Sequence, residues 1–219
     1  MKLSIDPGLK KKCPSVALGC VTARVRTGDS SLELLGELDL CEGGILKNAD
    51  PRAILEAPAI SAARAGYRAL GKDPARYRGS AEALLRRIIS GKHFPSINSV
   101  VDIINLVSVE SRLPIGLYDL AKVQGDIVFR VGRSGETYKG IGKFDLNLED
   151  LPVFCDAAGP HGSPTSDSER TMVTSLTENV AAMLISFGGP QPLEVWSQRM
   201  TGLMERYAEG RDLRAEIVT

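Results

Sequence analysis

The feature that most constrains this chain is an apolar run near its middle. Residues 100–109 are almost entirely apolar, and Asp102 and Asn105 interrupt the run one helical turn apart. A helix that is apolar nearly all round lies in a protein core. A carboxylate and an amide inside it must be hydrogen-bonded, since each otherwise costs about 1–3 kcal/mol. The Pro-Ile-Gly sequence at 114–116 predicts a loop after this helix. We expect segment 97–119 as a whole to form one wall of any pocket.

The composition is that of an ordinary globular protein, with 43% apolar and 25% charged residues. Lys plus Arg and Asp plus Glu number 27 each, so nucleic-acid binding requires a local patch. The sequence shows no signal-like segment and no apolar run near the roughly 20 residues of a membrane span. The four cysteines form no Cys-x-x-Cys pair, which favours free thiols and a cytoplasmic protein.

One local patch of positive charge is present. Residues 64–92 contain eight basic residues and two acids, in a chain whose formal net charge is zero. Two interpretations stay open: two helices with solvated basic faces, or a surface that contacts the phosphates of a nucleic acid. The second interpretation predicts tRNA-backbone contacts at Arg64, Arg68, Lys72, Arg86 and Arg87.

Periodicity predicts a mixture of helices and strands. Strands are predicted at 15–25, 126–131, 138–142 and 150–156. Helices are predicted at 49–55, 58–70, 80–90 with Ser80 as N-cap, 100–109 and 190–209. Segment 29–42 fits either a strand or a helix, ended by Gly43-Gly44, and 210–219 fits a tail or an edge strand. No repeat or linker appears, so we expect one α+β domain over residues 1–219, with a central sheet and flanking helices.

The chemical inventory lacks the common catalytic motifs. The sequence contains no His-Glu-x-x-His, no Gly-x-Ser-x-Gly, no phosphate-binding Gly-x-x-x-x-Gly-Lys and no dinucleotide fingerprint. We therefore expect no metal and no cofactor. The polar segment 157–171 is long enough to be functional. Its polar groups and those around the apolar run suit an amino-acid-like ligand or a positioned water, although each residue taken singly can equally be a loop or helix cap.

Several collinear segments carry a resemblance to a known family. They are the Arg-Tyr at 76–77, VVDIIN at 100–105, PIGLYD at 114–119, GDIVFR at 125–130, Gly-Glu at 135–136, and DLPVFCDAAG followed by VTSLTENV. Over about residues 58–188 the chain is similar to the editing (B-three/B-four) domain of the phenylalanyl-tRNA synthetase β subunit. The resemblance implies a mixed α/β fold and a free-standing deacylase that hydrolyses the ester of a mischarged tRNA in trans, without metal. It implies the aminoacyl end of tRNA as partner, with a free amino acid as an alternative ligand.

The chain departs from the family pattern at two places. Gly116 stands where the family has a histidine, and a family glutamate aligns near Met183 or Leu184. In the synthetase this domain removes tyrosine that is mischarged on the phenylalanine tRNA, and the resemblance does not carry that specificity over to this chain. Gly116 is expected to enlarge or reshape the pocket. The alternative is a non-catalytic tRNA- or amino-acid-binding module that kept the fold and lost the editing residues.

The polar segment is expected to supply replacements, because Glu169, Arg170 and Thr171 align with the family's Glu-His-Ser. We predict Arg170, Asn105 and Glu110 as catalytic residues. The residues predicted to bind substrate are Asn98, Gly116, Asp119, Ser168, Glu169 and Thr171.

Overall fold

The computed structural model describes residues 1–47, 50–142 and 145–219. Its strands are β1 (Leu3–Ile5), β2 (Ala17–Arg24), β3 (Ile115–Asp119), β4 (Ile127–Val131), β5 (Thr137–Lys139), β6 (Asp145–Asn147), β7 (Pro152–Asp156), β8 (Gly159–Gly162), β9 (Asn179–Ser186) and β10 (Arg211–Val218). Its helices are α1 (Pro7–Lys12), α2 (Leu32–Lys47), α3 (Pro51–Glu56), α4 (Pro58–Ala69), α5 (Ser80–Ile89), α6 (Ser99–Ser111) and α7 (Leu193–Tyr207). Short 3-10 turns follow β3 and β8. The predicted α+β class is confirmed.

The strands form two four-stranded sheets and one hairpin. The first sheet has the order β1-β4-β7-β8, with β1 parallel to β4 and the other pairs antiparallel. The second sheet has the order β10-β2-β9-β3 and is antiparallel throughout. The hairpin pairs β5 with β6. None of the helices in the described ranges is long and apolar enough to cross a bilayer.

Strand β9 separates two cores, because its alternate side chains point to opposite faces. Ala182 and Leu184 pack in the cluster that contains the apolar face of α6. Ala181 and Met183 pack in a second cluster, with Phe129 of the first sheet. Both faces of β9 are therefore covered.

Helix α6 is the buried helix that the apolar run predicts. Asp102 is 1% exposed and accepts hydrogen bonds from Ser30 Oγ at 2.6 Å and from the Ile97 amide at 3.1 Å. Burial raises the pKa of Asp102, and these two bonds partly offset that effect. Asn105 is half-buried rather than enclosed. The predicted need for hydrogen-bonding partners is met at Asp102.

Three local predictions are wrong. Helix α2 continues through Gly43-Gly44 to Lys47, because its buried face holds the helix together and glycine costs a helix interior only about 1 kcal/mol. Ser80 is the first residue of α5 rather than its N-cap, and its hydroxyl accepts from the Ile115 amide at 3.3 Å. Residues 115 and 116 begin β3 instead of a loop.

Segment 210–219, predicted as a tail or an edge strand, and segment 157–171, predicted as a loop, both contain strands. Residues 211–218 form β10, an edge strand that pairs with β2 along its length. The prediction of a tail is therefore wrong, and the edge strand is longer than predicted. Within 157–171, β8 pairs with β7, and Glu169–Thr171 forms a 3-10 turn. Position 49, predicted as the start of α3, lies outside the described residues.

Candidate functional site

Gly116 and Met183 are register partners on neighbouring strands β3 and β9. Gly116 aligns with the family histidine, and the family glutamate aligns near Met183 or Leu184, so the fold brings the two departures to neighbouring positions on β3 and β9. Tyr118 lies two residues along β3, on the same face as Gly116. A Cβ built on Gly116 would overlap Tyr118 Oη and lie 2.8 Å from Tyr118 Cζ. Of the two expectations for Gly116, an enlarged or a reshaped pocket, the structure does not show enlargement, because the tyrosine occupies that space.

Tyr118 is held in this position by hydrogen bonds and ring packing. Its hydroxyl donates to Asp167 Oδ1 at 3.0 Å, and the Leu117 amide donates to Asp167 Oδ2 at 3.1 Å. The His161 ring meets Tyr118 edge-on, with ring centroids 4.5 Å apart. Burial raises the pKa of Tyr118 well above its usual value, so the phenol stays protonated. Tyr118 is thus a fixed part of the core.

His161 is fully buried beside this tyrosine. Its Nδ1 lies 3.5 Å from Thr171 Oγ1, and its Nε2 has no hydrogen-bond partner among the described residues. Burial lowers the pKa of His161 to about 4, which outweighs the opposing effect of Asp156. The imidazole is neutral at pH 7 and can accept a proton only if the surrounding core opens. The burial of this histidine is not visible in the sequence.

Two further tyrosines fix the loop that follows β8. Tyr138 Oη donates to the Ser166 carbonyl at 2.5 Å and lies 3.1 Å from Ser163 Oγ. Tyr67 Oη lies 2.6 Å from Thr165 Oγ1. Together with Tyr118, these phenols anchor residues 163–167 at three points. The polar segment is therefore a braced part of the structure rather than an open loop.

Arg170, predicted as catalytic, is engaged in a bidentate ion pair. Its guanidinium donates to Asp156 Oδ1 at 2.8 Å and Oδ2 at 3.0 Å, and also to the carbonyls of Gly159 and Lys122 at 3.1 and 3.3 Å. The Asp156 side chain is fully buried. These contacts make Arg170 an anchor of the β7–β8 hairpin, which contradicts the prediction that it replaces the missing histidine.

Glu110 and Asn105 are directed elsewhere. Glu110 receives two hydrogen bonds from Arg199 of α7, both at 3.1 Å, and Arg199 also donates to Glu37 at 2.6 Å. Five residues separate Asn105 from Glu110, which places them roughly 140° apart around α6. The three predicted catalytic residues therefore do not converge on one reacting centre.

Most of the residues predicted to bind substrate have structural partners. Asn98 caps α6 by accepting from the Val101 amide at 3.0 Å. Asp119 accepts from Thr177 Oγ1 at 2.8 Å, and Ser168 accepts from the Arg170 amide at 3.0 Å. Glu169 pairs with Lys139 at 2.9 Å, and Thr171 is buried against His161. The alternative interpretation of these residues as caps and loop contacts describes them better.

The predicted basic patch divides into two kinds of residue. Glu82 is 3% exposed and accepts hydrogen bonds from Arg64 Nη1 at 3.0 and 3.1 Å and from Arg86 Nε at 2.9 Å. Arg64 and Arg86 therefore share one buried carboxylate, which balances one of their two positive charges. The other basic side chains form no ion pair with any described residue, and we call them the basic surface: Arg68, Lys72, Arg76, Arg78, Arg87 and Lys92.

A separate cleft of about 650 Å³ opens among helices α2, α3, α5, α6 and α7. Glu110 and Arg199 lie on its wall, together with Trp196 and Arg112. No cluster of three or more metal-ligating side chains occurs in the described part of the chain, and all four cysteines are free thiols. Neither Gly116 nor Met183 lines this cleft.

Two sheets flanked by helices, with the site between β3, β9 and the braced loop, define a mixed α+β domain. The family model that matches this chain is the B3/4 domain, over residues 62–190. The match covers more than half of the chain, so the chain belongs to the B3/4 domain family. The predicted resemblance to the B-three/B-four domain of the phenylalanyl-tRNA synthetase β subunit is confirmed.

The similar proteins are beta subunits of phenylalanine–tRNA ligases. Those of Paramagnetospirillum magneticum and Aquifex aeolicus are each 38% identical to this chain, over 65 and 66 residues. These matches cover 29% and 30% of this chain but 8% of each relative, so the chain corresponds to a small part of those subunits. A solved N-terminal fragment of the beta subunit from Pyrococcus horikoshii aligns over 99% of this chain and 50% of the fragment, with 14% identity and a TM-score of 0.48.

Proposed function

We propose that this domain binds tRNA through its basic surface and does not itself hydrolyse the aminoacyl ester. The observation that carries the proposal is a set of six basic side chains without a carboxylate partner among the described residues. The relatives are named as ligases that act on a tRNA, which makes tRNA the nucleic acid of choice. The basic surface is local, since the formal charge of the whole chain is zero.

The geometry of the basic surface suits a phosphate backbone. Four of its members lie in one short segment, 68–78, that contains a single acid, Asp73. Arg87 and Lys92 lie near the other end of α5, about 15 Å away by the rise of a ten-residue helix. Lys72 and Arg76 flank the Tyr77 ring at 5.3 and 5.7 Å. An aromatic ring among cations also offers a surface on which a base can stack.

Helix α1 extends this surface, which the sequence did not suggest. Leu9 and Cys13 pack in the same core cluster as Ala63 of α4, and Cys13 Sγ lies 3.8 Å from the Gly66 carbonyl. The exposed lysines in the last turn of α1 therefore lie beside α4. They add two positive charges, at Lys11 and Lys12.

The proposal that ester hydrolysis is absent rests on the site around Gly116. Water attack on an ester needs room for the carbonyl and polar groups aimed at the developing oxyanion. Tyr118 fills the space over Gly116, and Met183 offers no polar atom of the kind that glutamate would supply. Arg170 and Glu110 are occupied by Asp156 and Arg199.

Binding is tested by charge reversal at the basic surface. The double variant Arg76→Glu/Arg78→Glu should bind unacylated tRNA at least about tenfold more weakly, with a shallower dependence of log K on log salt. The matched control is Arg24→Glu/Arg214→Glu, which reverses two exposed arginines on strands β2 and β10. Equal affinity of the test variant and the wild-type protein, or equal losses in both variants, would refute the assignment of the surface.

A trans-editing deacylase is the second candidate, favoured by one observation. His161 Nε2 is buried beside Tyr118 with no hydrogen-bond partner among residues 1–47, 50–142 and 145–219, next to the position of the family histidine. A panel of mischarged tRNAs separates the candidates. Binding without release of amino acid supports the first candidate. Release that is abolished in His161→Gln but kept in the surface control Arg24→Glu/Arg214→Glu establishes the second.

A further inference from the structure

The cleft among the helices has the size and walls of a small-molecule site. Its volume of about 650 Å³ lies within the range of roughly 300–1,000 Å³ typical of ligand pockets. Most of its wall is apolar, contributed by Ile45, Ala53, Ile54, Leu85, Ile89 and Trp196. None of the residues that line this cleft belongs to the region around Gly116 and Tyr118 or to the basic surface. The cleft is therefore a separate feature.

Arg112 brings a positive charge into the cleft without a carboxylate to balance it. It is half-buried, and burial lowers its pKa. Its Nη1 donates to the Val109 carbonyl of its own helix, and no carboxylate of the described residues forms an ion pair with it. A desolvated guanidinium that lacks an anion is costly, and an anionic ligand would recover that cost.

The other cation on the cleft wall is already paired. Arg199 lies between Glu110 and Glu37, at 3.1 and 2.6 Å. Tyr207 also donates to Glu37, at 2.6 Å. Asp50, a carboxylate on the wall, accepts from the Arg52 amide at 2.8 Å as the cap of helix α3. Among the described residues of the wall, Arg112 is therefore the cation without a carboxylate partner.

The conformation of Arg112 also sets it apart. It caps the C-terminus of α6 in the left-handed region, with φ of 63°, where glycine is strongly preferred. A glycine would serve the helix end better, so the requirements of the fold do not explain the arginine. Its side chain instead supplies the cleft with a guanidinium.

We propose that this cleft binds a small organic carboxylate with an apolar body. The carboxylate pairs with the Arg112 guanidinium, and the apolar part packs against Trp196 and the isoleucines of α3 and α5. The proposal does not depend on tRNA binding, because none of the residues of the basic surface lines the cleft.

The cleft carries its own reporter, since Trp196 is the single tryptophan of the chain. Titration with 3-phenylpropanoate should produce a saturable change in tryptophan fluorescence. Its uncharged isostere, 3-phenylpropanamide, should bind at least about tenfold more weakly than the carboxylate, because it cannot form a charge-assisted pair with Arg112. A linear, unsaturable change for the carboxylate, or equal affinities for the two probes, would overturn the proposal.

Two substitutions at Arg112 keep the test clear of folding effects. Arg112→Gly should retain or improve thermal stability, because glycine suits the left-handed conformation, and should weaken 3-phenylpropanoate binding about tenfold. Arg112→Gln should weaken it similarly. Arg214→Gln, on the exposed edge strand β10, removes the same charge elsewhere and should leave the affinity unchanged. Wild-type affinity in folded Arg112→Gly would rule out the assignment.

Discussion

Replacing Gly116 by alanine tests whether Tyr118 fills the space over Gly116 between strands β3 and β9 and the loop 163–167. An added methyl group would overlap Tyr118 Oη, and the tyrosine is fully buried. Overpacking of this kind costs about 1–3 kcal/mol. Displacing the hydroxyl from Asp167 costs about 1.5–3 kcal/mol more, because the acceptor is a charged group.

The sign of the effect is as informative as its size. Gly-to-alanine changes at unstrained positions stabilise a protein by about 0.4–1 kcal/mol, through the unfolded chain. With this gain subtracted, Gly116→Ala should lower the free energy of unfolding by roughly 3 kcal/mol, or the midpoint by roughly 6–12 °C for a chain of this length. Urea unfolding followed by Trp196 fluorescence measures it. Gly36→Ala, on an open face of α2, should instead stabilise the protein by about 1 kcal/mol.

A double-mutant cycle links the loss to the tyrosine. Tyr118→Phe removes the overlapping oxygen, so part of the cost of Gly116→Ala should disappear in its presence. Because Cζ would still lie 2.8 Å from the new methyl group, the rescue is partial, with a coupling of about 1 kcal/mol. Additive effects, or an unchanged midpoint for Gly116→Ala, would show that the space over Gly116 is open.

Two further predictions concern titrating groups beside this site. The folded-state pKa of His161, about 4, lies below the unfolded value of about 6.5, so stability should fall by about 3 kcal/mol as pH drops from 6.5 to 4. His161→Gln should flatten that slope in pH-dependent urea unfolding, and an unchanged slope would contradict the burial argument. At Asp156, burial raises the pKa, but the bonds from Arg170 and the Gln124 amide outweigh it and hold the pKa below its usual value. Arg170→Ala should therefore destabilise the fold by about 2 kcal/mol at pH 7 and by less as the carboxyl protonates below about pH 4, and an equal loss at both pH values would refute the ion pair.

Local periodicity predicted the elements whose own residues determine them. The apolar run of α6, the β2 and β4 strands and the long C-terminal helix are all present near the predicted positions. Strand β10 has exposed, charged residues, and its order comes from pairing with β2 rather than from its own sequence. Helix α2 continues through Gly43-Gly44 for a related reason: packing of its buried face against the rest of the protein outweighs the low helix propensity of the two glycines.

The site was harder to predict because it depends on contacts between distant segments. Glu82 pairs with Arg64 across 18 residues, which divides a basic patch that looks uniform in the sequence. Arg170 and Asp156 pair across a hairpin whose existence the polar composition concealed. In both cases the sequence shows a charged side chain, and the carboxylate that forms an ion pair with it can be identified only from the fold.

The departure at position 116 is physically linked to Tyr118. The resemblance gives the family a histidine at the position of Gly116, and Gly116 and Tyr118 lie on the same face of β3 in this chain. The phenol oxygen reaches over the glycine to Asp167, so the side chain at position 118 limits what position 116 can hold. Restoring histidine alone would place its Cβ where Oη already lies. Gly116→His should therefore be less stable than Gly116→His/Tyr118→Phe, in which the clash with Oη is gone although Cζ still lies 2.8 Å from the new Cβ. A single variant as stable as the double variant would show that the two positions are independent.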